Sequence, residues 1–404
     1  MTEHAIPAAD TTGPHPGLAG GPVYLDYNAT TPVDPRVTEA AMPYWTTAFG
    51  NPSSDHRYAA EPRRALAAAR HQVAALVGAA ASEIVFTASG SEANLLALRG
   101  AVLATCGGDT HLIVQATEHP AVLQTGRALE RLHGTRVTVL PVDQHGFVDP
   151  AALDAVLRTS APAEQTVVSI MAANNETGTI QPIPELSEIA HRRGALVHCD
   201  AAQACGKIPV DVDRLGVDLL TIVGHKMYAP RGAAALYVRE GVRLEPVVYG
   251  GGQEHGLRAG TENVALAVAL GAAAGLAADD LTSGLPQRLA GLRDELHRQL
   301  ARALPGRVHR NGPTAADRRL PNTLNISIDG TRGHDVLAAA PAIAASTGSA
   351  CHSGVHSPSP VLTAMGIGAE RALGTLRLTL GRWSTPSDVE TAVHALTPQD
   401  HARS

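Results

Sequence analysis

Strand-like and helix-like segments alternate along most of this chain, and that alternation restricts its possible folds more than any other feature. Short runs rich in apolar and β-branched residues lie at 83–88, 111–116, 136–142, 166–173, 196–200, 219–223 and 234–238. Between them lie Ala/Leu/Arg/Glu segments of helical character at 61–77, 95–103, 121–132, 151–157 and 184–193. Parallel strands need crossover connections, and helices in that role cover both faces of a sheet. The pattern predicts an α/β fold with a mostly parallel seven-stranded sheet. After about residue 280 the pattern changes. A long amphipathic segment at 285–304 is followed by a run at 322–328, a further helix, a Ser/Gly/Pro loop and a strand at 375–380. This predicts a smaller α+β C-terminal domain, which a strand at 23–26 would join. At 404 residues the chain exceeds what one compact core serves. The expected division is a flexible tail over 1–21, a large domain over 22–280 and a small domain over 281–404, with 22–37 packing against the small one.

Composition narrows the function classes. Hydrophobic residues at 44% and charged residues at 17% fit a folded globular chain. A formal net charge of −6 argues against a broad basic surface, so direct nucleic-acid binding is not expected. The four cysteines, Cys106, Cys199, Cys205 and Cys351, contain no C-x-x-C pair, which speaks against a disulfide scaffold or structural zinc. The N-terminus lacks a basic region followed by an apolar one, so no secretory signal is expected. The longest apolar run, 264–278, is shorter than the ~20 residues of a membrane span and reads as a core helix. A cytoplasmic protein with reduced thiols and no membrane partner is expected. Among 32 Lys and Arg residues only Lys207 and Lys226 are lysines, so chemistry that needs a primary amine has two side-chain candidates.

In open α/β sheets, ligands bind at the carboxyl ends of the strands. Here the groups that close strands are Ser89-Gly90-Ser91-Glu92, Glu118-His119, Asn174-Asn175-Glu176, Asp200 with Gln203, and Gly224-His225-Lys226. Taken singly, each has an ordinary structural reading; their convergence is the signal. Lys226 directly after an apolar strand would be desolvated, which lowers its pKa and frees the amine for a Schiff base. Asp200 at a buried strand end needs a cation, or caps the next helix. A protonated pyridine nitrogen would serve as that cation and make the ring an electron sink. Gly90 and Ser91 at a helix start favour a phosphate. His119 could stack on an aromatic cofactor or move protons, and Asn175 and Gln203 could contact a ring oxygen. Cys351, in the Gly- and Ser-rich run 346–354, is a nucleophile candidate on a mobile loop, with His352 and His356 to assist its deprotonation. Arg377 alternates with apolar residues and needs an anion, for which a substrate carboxylate or a structural salt bridge would serve.

Longer stretches carry a resemblance. They are Tyr24-Leu-Asp-Tyr-Asn-Ala-Thr-Thr-Pro-Val-Asp, Phe49-Gly-Asn-Pro-Ser-Ser, Glu83-Ile-Val-Phe-Thr with Gly90-Ser-Glu-Ala-Asn, Thr117-Glu-His and Asn174-Asn-Glu-Thr-Gly. His198-Cys-Asp-Ala-Ala-Gln, Gly224-His-Lys, Gly250-Gly-Gly-Gln-Glu, Arg258-Ala-Gly-Thr-Glu-Asn, Gly348-Ser-Ala-Cys and Arg377 continue the series. Together, and in this order, they resemble the cysteine desulfurases of the class V aminotransferase family, which have the type I fold of pyridoxal 5'-phosphate (PLP) enzymes. The spacing from Cys351 to Pro358-Ser-Pro-Val-Leu is similar to the branch with the longer cysteine loop, here about 346–360.

The resemblance implies roles. Lys226 would bond covalently to PLP, Asp200 would pair with the pyridine nitrogen and Gln203 with the ring hydroxyl. His119 would stack on the ring and relay protons, and Asn175 would contact ring or substrate. Gly90, Ser91 and His225 would hold the phosphate, with Thr261 reaching in from the partner of a homodimer that shares its active sites. Asn28 and Arg377 would grip the carboxylate of L-cysteine. Catalysis would fall to Cys351, Lys226 and His119, giving L-alanine and a Cys351 persulfide whose sulfur passes to an acceptor protein. No metal is implied. One departure stands out: Val223 occupies a position that usually carries a phosphate-binding hydroxyl, and Thr221 or Ser91 could substitute. The residues also fit another class V PLP enzyme (a small-amino-acid aminotransferase or selenocysteine lyase), or a non-catalytic PLP-fold scaffold in sulfur transfer. Iron–sulfur cluster assembly, tRNA thiolation, DNA phosphorothioation and a biosynthetic pathway are all open destinations for the sulfur.

Overall fold

The computed structural model describes residues 13–104, 109–160, 165–348, 351–352 and 355–397. A short first strand, β1 (Val23–Tyr24), precedes the central sheet. That sheet comprises β2 (Ile84–Thr87), β3 (Thr110–Gln115), β4 (Arg136–Leu140), β5 (Gln165–Ser169), β6 (Leu196–Asp200), β7 (Leu219–Val223) and β8 (Ala234–Val238). Their spatial order is β2-β8-β7-β6-β5-β3-β4. All neighbours from β7 to β4 pair in parallel, whereas β8 is antiparallel to both β7 and β2. The loop between β7 and β8 is too short for a helical crossover, so the chain must turn back on itself. Every strand but β8 therefore points the same way, and their carboxyl ends share one edge.

The expected mostly parallel seven-stranded sheet is thus present. Apolar residues cover both faces, as parallel sheets require. One face packs Val85, Val114, Val167 and Leu219 against Leu96 and Leu98 of the Gly90–Leu103 helix. The other packs Ile84, Ile113, Val168, Leu220 and Ile222 against the helices Ala60–Val77 and Val264–Thr282. Each fully buried Leu or Ile contributes ~1.5–3 kcal/mol relative to exposure. Val264–Thr282 is the one helix among the described residues long and apolar enough to cross a membrane, and Leu270 and Ala273 within it are fully buried in the core.

A second group of strands follows: β9 (Val308–Arg310), β10 (Thr323–Ile328), β11 (Ile343–Ala344), β12 (Cys351–His352), β13 (Val355–His356) and β14 (Thr375–Thr379). β14, β10 and β9 form an antiparallel sheet. Its core joins Leu324, Ile326, Leu376 and Leu378 to Leu296 and Leu300 of the Leu285–Ala303 helix and Val389 of the Pro386–Leu396 helix. β1 pairs in parallel with β11, and Leu25 enters this same core. β12 and β13 pair with each other.

Two expectations are corrected. The flexible tail expected over 1–21 does not extend to 13–21. His15 caps the turn Pro16–Leu18, its Nε2 lies 2.8 Å from the Val33 carbonyl and its ring 4.6 Å from that of Trp383. Residues 1–12 of that segment lie outside the described residues. The helix expected over 95–103, with its opening at Glu92, begins two residues earlier at Gly90, because Ser89 caps it by accepting the Glu92 N–H at 3.1 Å.

Candidate active site

The shared strand direction brings the sequence-distant candidates to one edge. Lys226 ends a short turn, Gly224–Lys226, directly after β7. Its Nζ donates to the carbonyls of Asn28 and Ala29, each at 2.7 Å. Burial lowers its pKa to about 8; the Arg377 charge adds to that effect, while Asp200 and Asp26 oppose it. His225 places Nδ1 3.1 Å from the Thr30 hydroxyl, and burial lowers its pKa to about 4. His119 caps the Pro120–His133 helix, with Nδ1 accepting the Ala121 N–H at 3.1 Å. In the neutral ring the proton then sits on Nε2. Burial in the cleft lowers this pKa, against the pull of the Asp200 charge, and Lys226 lowers it further.

Asp200 closes β6 and is buried. Its Oδ2 accepts from Asn94 Nδ2 at 2.8 Å and its Oδ1 from the Ala202 N–H at 3.0 Å. Among the described residues it has no ion-pair partner, so a buried carboxylate stands ready for a cation. Gly90 starts its helix against β7: a Cβ there would lie 2.5 Å from Val223 Cγ2. As first-turn residues, Gly90 and Ser91 have N–H groups without intrahelical acceptors. Thr221 cannot replace the hydroxyl missing at Val223. It is fully buried, and its Oγ1 donates to Asn94 Oδ1 at 2.7 Å. Ser91 is exposed in the first turn. Thr261 is exposed before the Val264–Thr282 helix and has no hydrogen bond among the described residues.

On the other side, Arg377 of β14 donates from Nη2 to Asp26 at 2.7 Å and from Nη1 to the Asn175 carbonyl at 3.5 Å. Its Nε is buried with no partner. Asn28, expected to share the substrate carboxylate, has no donor left for it. Both Nδ2 protons are engaged, by the Asn175 carbonyl at 3.0 Å and Thr323 Oγ1 at 2.9 Å. Its Oδ1 accepts from Asn322 at 3.0 Å and Lys207 at 3.3 Å. Asn28 thus fastens the two sheets together at the cleft. Gln203 donates one amide proton to the Asn28 carbonyl at 2.9 Å and accepts from Lys207 at Oε1, which leaves one N–H for a ring oxygen. Lys207 is buried, with its pKa well below the usual lysine range from burial and the nearby Lys226 charge. The Asn175 side chain has no hydrogen bond among the described residues.

Two cysteines are excluded as nucleophiles. Cys199 and Cys205 are buried; burial pushes both thiols up, Cys205 to about 12. Cys106 lies outside the described residues. The Cys351 backbone pairs with that of His356. The segment that carries Cys351 is held on either side: Ser346 and Arg377 exchange backbone hydrogen bonds, and Ser359 Oγ donates to Glu176 Oε2 at 2.6 Å.

The donor set fits PLP. A desolvated amine, a buried carboxylate lacking a cation and a helix start with free N–H groups match its aldehyde, pyridine nitrogen and phosphate, and a buried arginine N–H matches a substrate carboxylate. Sequence reasoning gave no role to Asn94 or Asp26, named Lys207 only as a second amine and named Glu176 only within a strand-closing group. Asn94 lies inside the Gly90-Ser-Glu-Ala-Asn stretch, one helical turn after Gly90, but its bonds to Asp200 and Thr221 depend on which strands lie beneath it.

Residues 23–391 match the family described as aminotransferase class-V. A cysteine desulfurase IscS of Dictyoglomus turgidum is 43% identical over 376 residues, 93% of each chain. A solved NifS-like protein shares 34% identity at a TM-score of 0.84, covering 93% of this chain and 98% of its own. A solved structure titled SspA in complex with cysteine shares 33% identity at a TM-score of 0.76, covering 90% and 99%.

Proposed function

This chain belongs to the class V aminotransferase family and is a PLP-dependent cysteine desulfurase, and from that premise we propose how its own residues convert L-cysteine to L-alanine and a Cys351 persulfide. PLP, when bound, supplies an electron sink that lets an attached amino acid lose its Cα proton and weakens the Cβ–S bond. Lys226 anchors the coenzyme covalently and, as a free amine with a pKa near 8, takes the Cα proton. Asp200 would hold the ring nitrogen and Gln203 would give its remaining N–H to the ring hydroxyl. The backbone of Gly90 and Ser91 would hold the phosphate, with His225 beside it. His119 would cover the ring and hand protons through Nε2. Arg377 binds the substrate carboxylate through its vacant Nε–H, steadied by Asp26.

The Cys351 thiolate attacks the substrate sulfur. An S–S bond forms as the C–S bond breaks, and the C–S electron pair ends as a C–H bond of L-alanine after protonation. One L-cysteine and one thiol give one L-alanine and one persulfide. The persulfide sulfur passes to an acceptor protein. Exposed Met42, Trp45, Phe49 and Tyr58 support a homodimer with shared active sites, in which Thr261 serves the partner's phosphate. We divide the chain into a coenzyme-binding body over 22–280 and a smaller one over 281–404, and place it in the reducing cytoplasm.

The observation that carries this reading is Lys226, one of two lysines in the chain, desolvated at the strand edge within electrostatic reach of Asp200 and Arg377. The experiment is a coenzyme absorption spectrum of the isolated protein, then L-cysteine with a thiol reductant that releases the persulfide sulfur as sulfide, with alanine and sulfide both quantified. Equal yields of the two products, with a spectral change on addition, support it. A protein that leaves cysteine untouched refutes it.

A further inference from the structure

Five side chains on one face of the central sheet form a single run of hydrogen bonds that ends on Asp200. Ser169 Oγ lies 2.8 Å from His198 Nδ1, and His198 Nε2 lies 3.1 Å from Thr221 Oγ1. Thr221 Oγ1 donates to Asn94 Oδ1 at 2.7 Å, and Asn94 Nδ2 donates to Asp200 Oδ2 at 2.8 Å. None of the five is more than 5% exposed.

Strand geometry explains how they meet. Side chains alternate between faces, so His198 and Asp200 share a face of β6. Register sets Ser169 opposite His198 and Asp200 opposite Thr221. The Gly90–Leu103 helix lies over that same face and lowers Asn94 onto the row.

The run has one direction. Thr221 has a single proton and gives it to Asn94, so His198 must donate to Thr221 from Nε2. In the neutral ring Nδ1 then accepts from Ser169. Burial holds His198 neutral, with a pKa of about 4. Every donor points toward the Asp200 carboxylate. Serial donation of this kind strengthens the terminal bond to it.

We propose that Asn94, Thr221 and His198 are positioning residues that hold the Asp200 carboxylate aimed at the coenzyme's ring nitrogen, and so keep that nitrogen protonated. This rests on the reading of Asp200 as the partner of that nitrogen. None of the three touches substrate.

The test is the ¹⁵N resonance of the ring nitrogen in holoenzyme carrying ¹⁵N-labelled PLP, with coenzyme affinity measured alongside. Thr221→Val keeps the shape and removes the relay hydroxyl. The resonance is expected to move toward the unprotonated ring, and coenzyme affinity to fall about tenfold, the scale of one hydrogen bond to a charged group. Thr221→Ser should restore both. A Thr221→Val protein with the wild-type resonance overturns the proposal. Should that variant fail to fold, Ser169→Ala removes only the first donor: a displaced resonance supports the relay and an unmoved one overturns it. Asp200→Ala separates the two layers. If it leaves the resonance unmoved, the ring-nitrogen reading fails, and the relay fails with it.

Discussion

The two sides of the proposed reaction are built in opposite ways. The coenzyme side sits on strand ends of a sheet buried on both faces, where register sets Asp200 beside Thr221 and Asn94 of the overlying helix bonds to both. The sulfur side sits on a segment fastened at Ser346 and Ser359, with a two-residue strand pairing at Cys351 between them. Bond breaking at carbon demands fixed geometry, since small misplacements cost large rate factors. Sulfur delivery demands that a nucleophile reach the substrate and then an acceptor, which a core strand could not do. The contrast teaches that one chain can assign precision and reach to different secondary structures.

The largest effect should come from breaking the rigid side. Lys226→Ala should abolish the covalent coenzyme band and lower turnover by at least about a thousandfold. Absorbance and alanine release measure both; an intact band would end the assignment. Next comes the sulfur side. Cys351→Ser should remove persulfide formation and lower sulfide release by about a hundredfold or more, with the coenzyme band unchanged. Loss of the band in this variant would erase the separation between the two regions. Arg377 touches both, since its backbone meets Ser346 and its side chain faces the cleft. Arg377→Lys keeps charge but not the fork, so KM for L-cysteine should rise about ten- to a hundredfold while kcat changes less. A reversed split would place Arg377 outside carboxylate binding.

The same contrast governs what was legible in the sequence. The strands at 196–200, 219–223 and 234–238 match β6, β7 and β8 residue for residue, because continuous apolar runs end abruptly in polar or glycine residues. Candidate site residues were legible wherever they closed such a run. Asn94 and Thr221 were not, because their roles depend on which strand lies beside which. Asn28 was misjudged for a related reason: its amide is engaged by Thr323, 295 residues away, which no local pattern reports. The start of the Gly90–Leu103 helix was legible to within two residues, and only the Ser89 cap fixes it.

The smallest effect on turnover, and the one that best probes the fastening of the sulfur segment, belongs to Glu176. Its buried carboxylate accepts from Ser359 at 2.6 Å. Gly348, at φ 72°, passes so close that a Cβ there would lie 2.7 Å from Oε2. Burial raises the Glu176 pKa to about 7, against the Ser359 hydrogen bond and the Arg377 charge. The folded protein therefore binds a proton between pH 4.5 and about 7 that the unfolded chain releases. The stabilisation is fully present below pH 4.5 and is lost as pH rises through about 7. Glu176→Gln keeps an acceptor for Ser359 but cannot ionise. Its stability relative to wild type should be level near pH 4.5 and higher by on the order of 2–3 kcal/mol above pH 7, where the buried charge has been removed. Denaturant unfolding at several pH values measures the difference. Parallel curves for the two proteins would mean that the carboxylate between Gly348 and Ser359 titrates alike in the folded and unfolded protein, and that the segment's fastening is indifferent to protons.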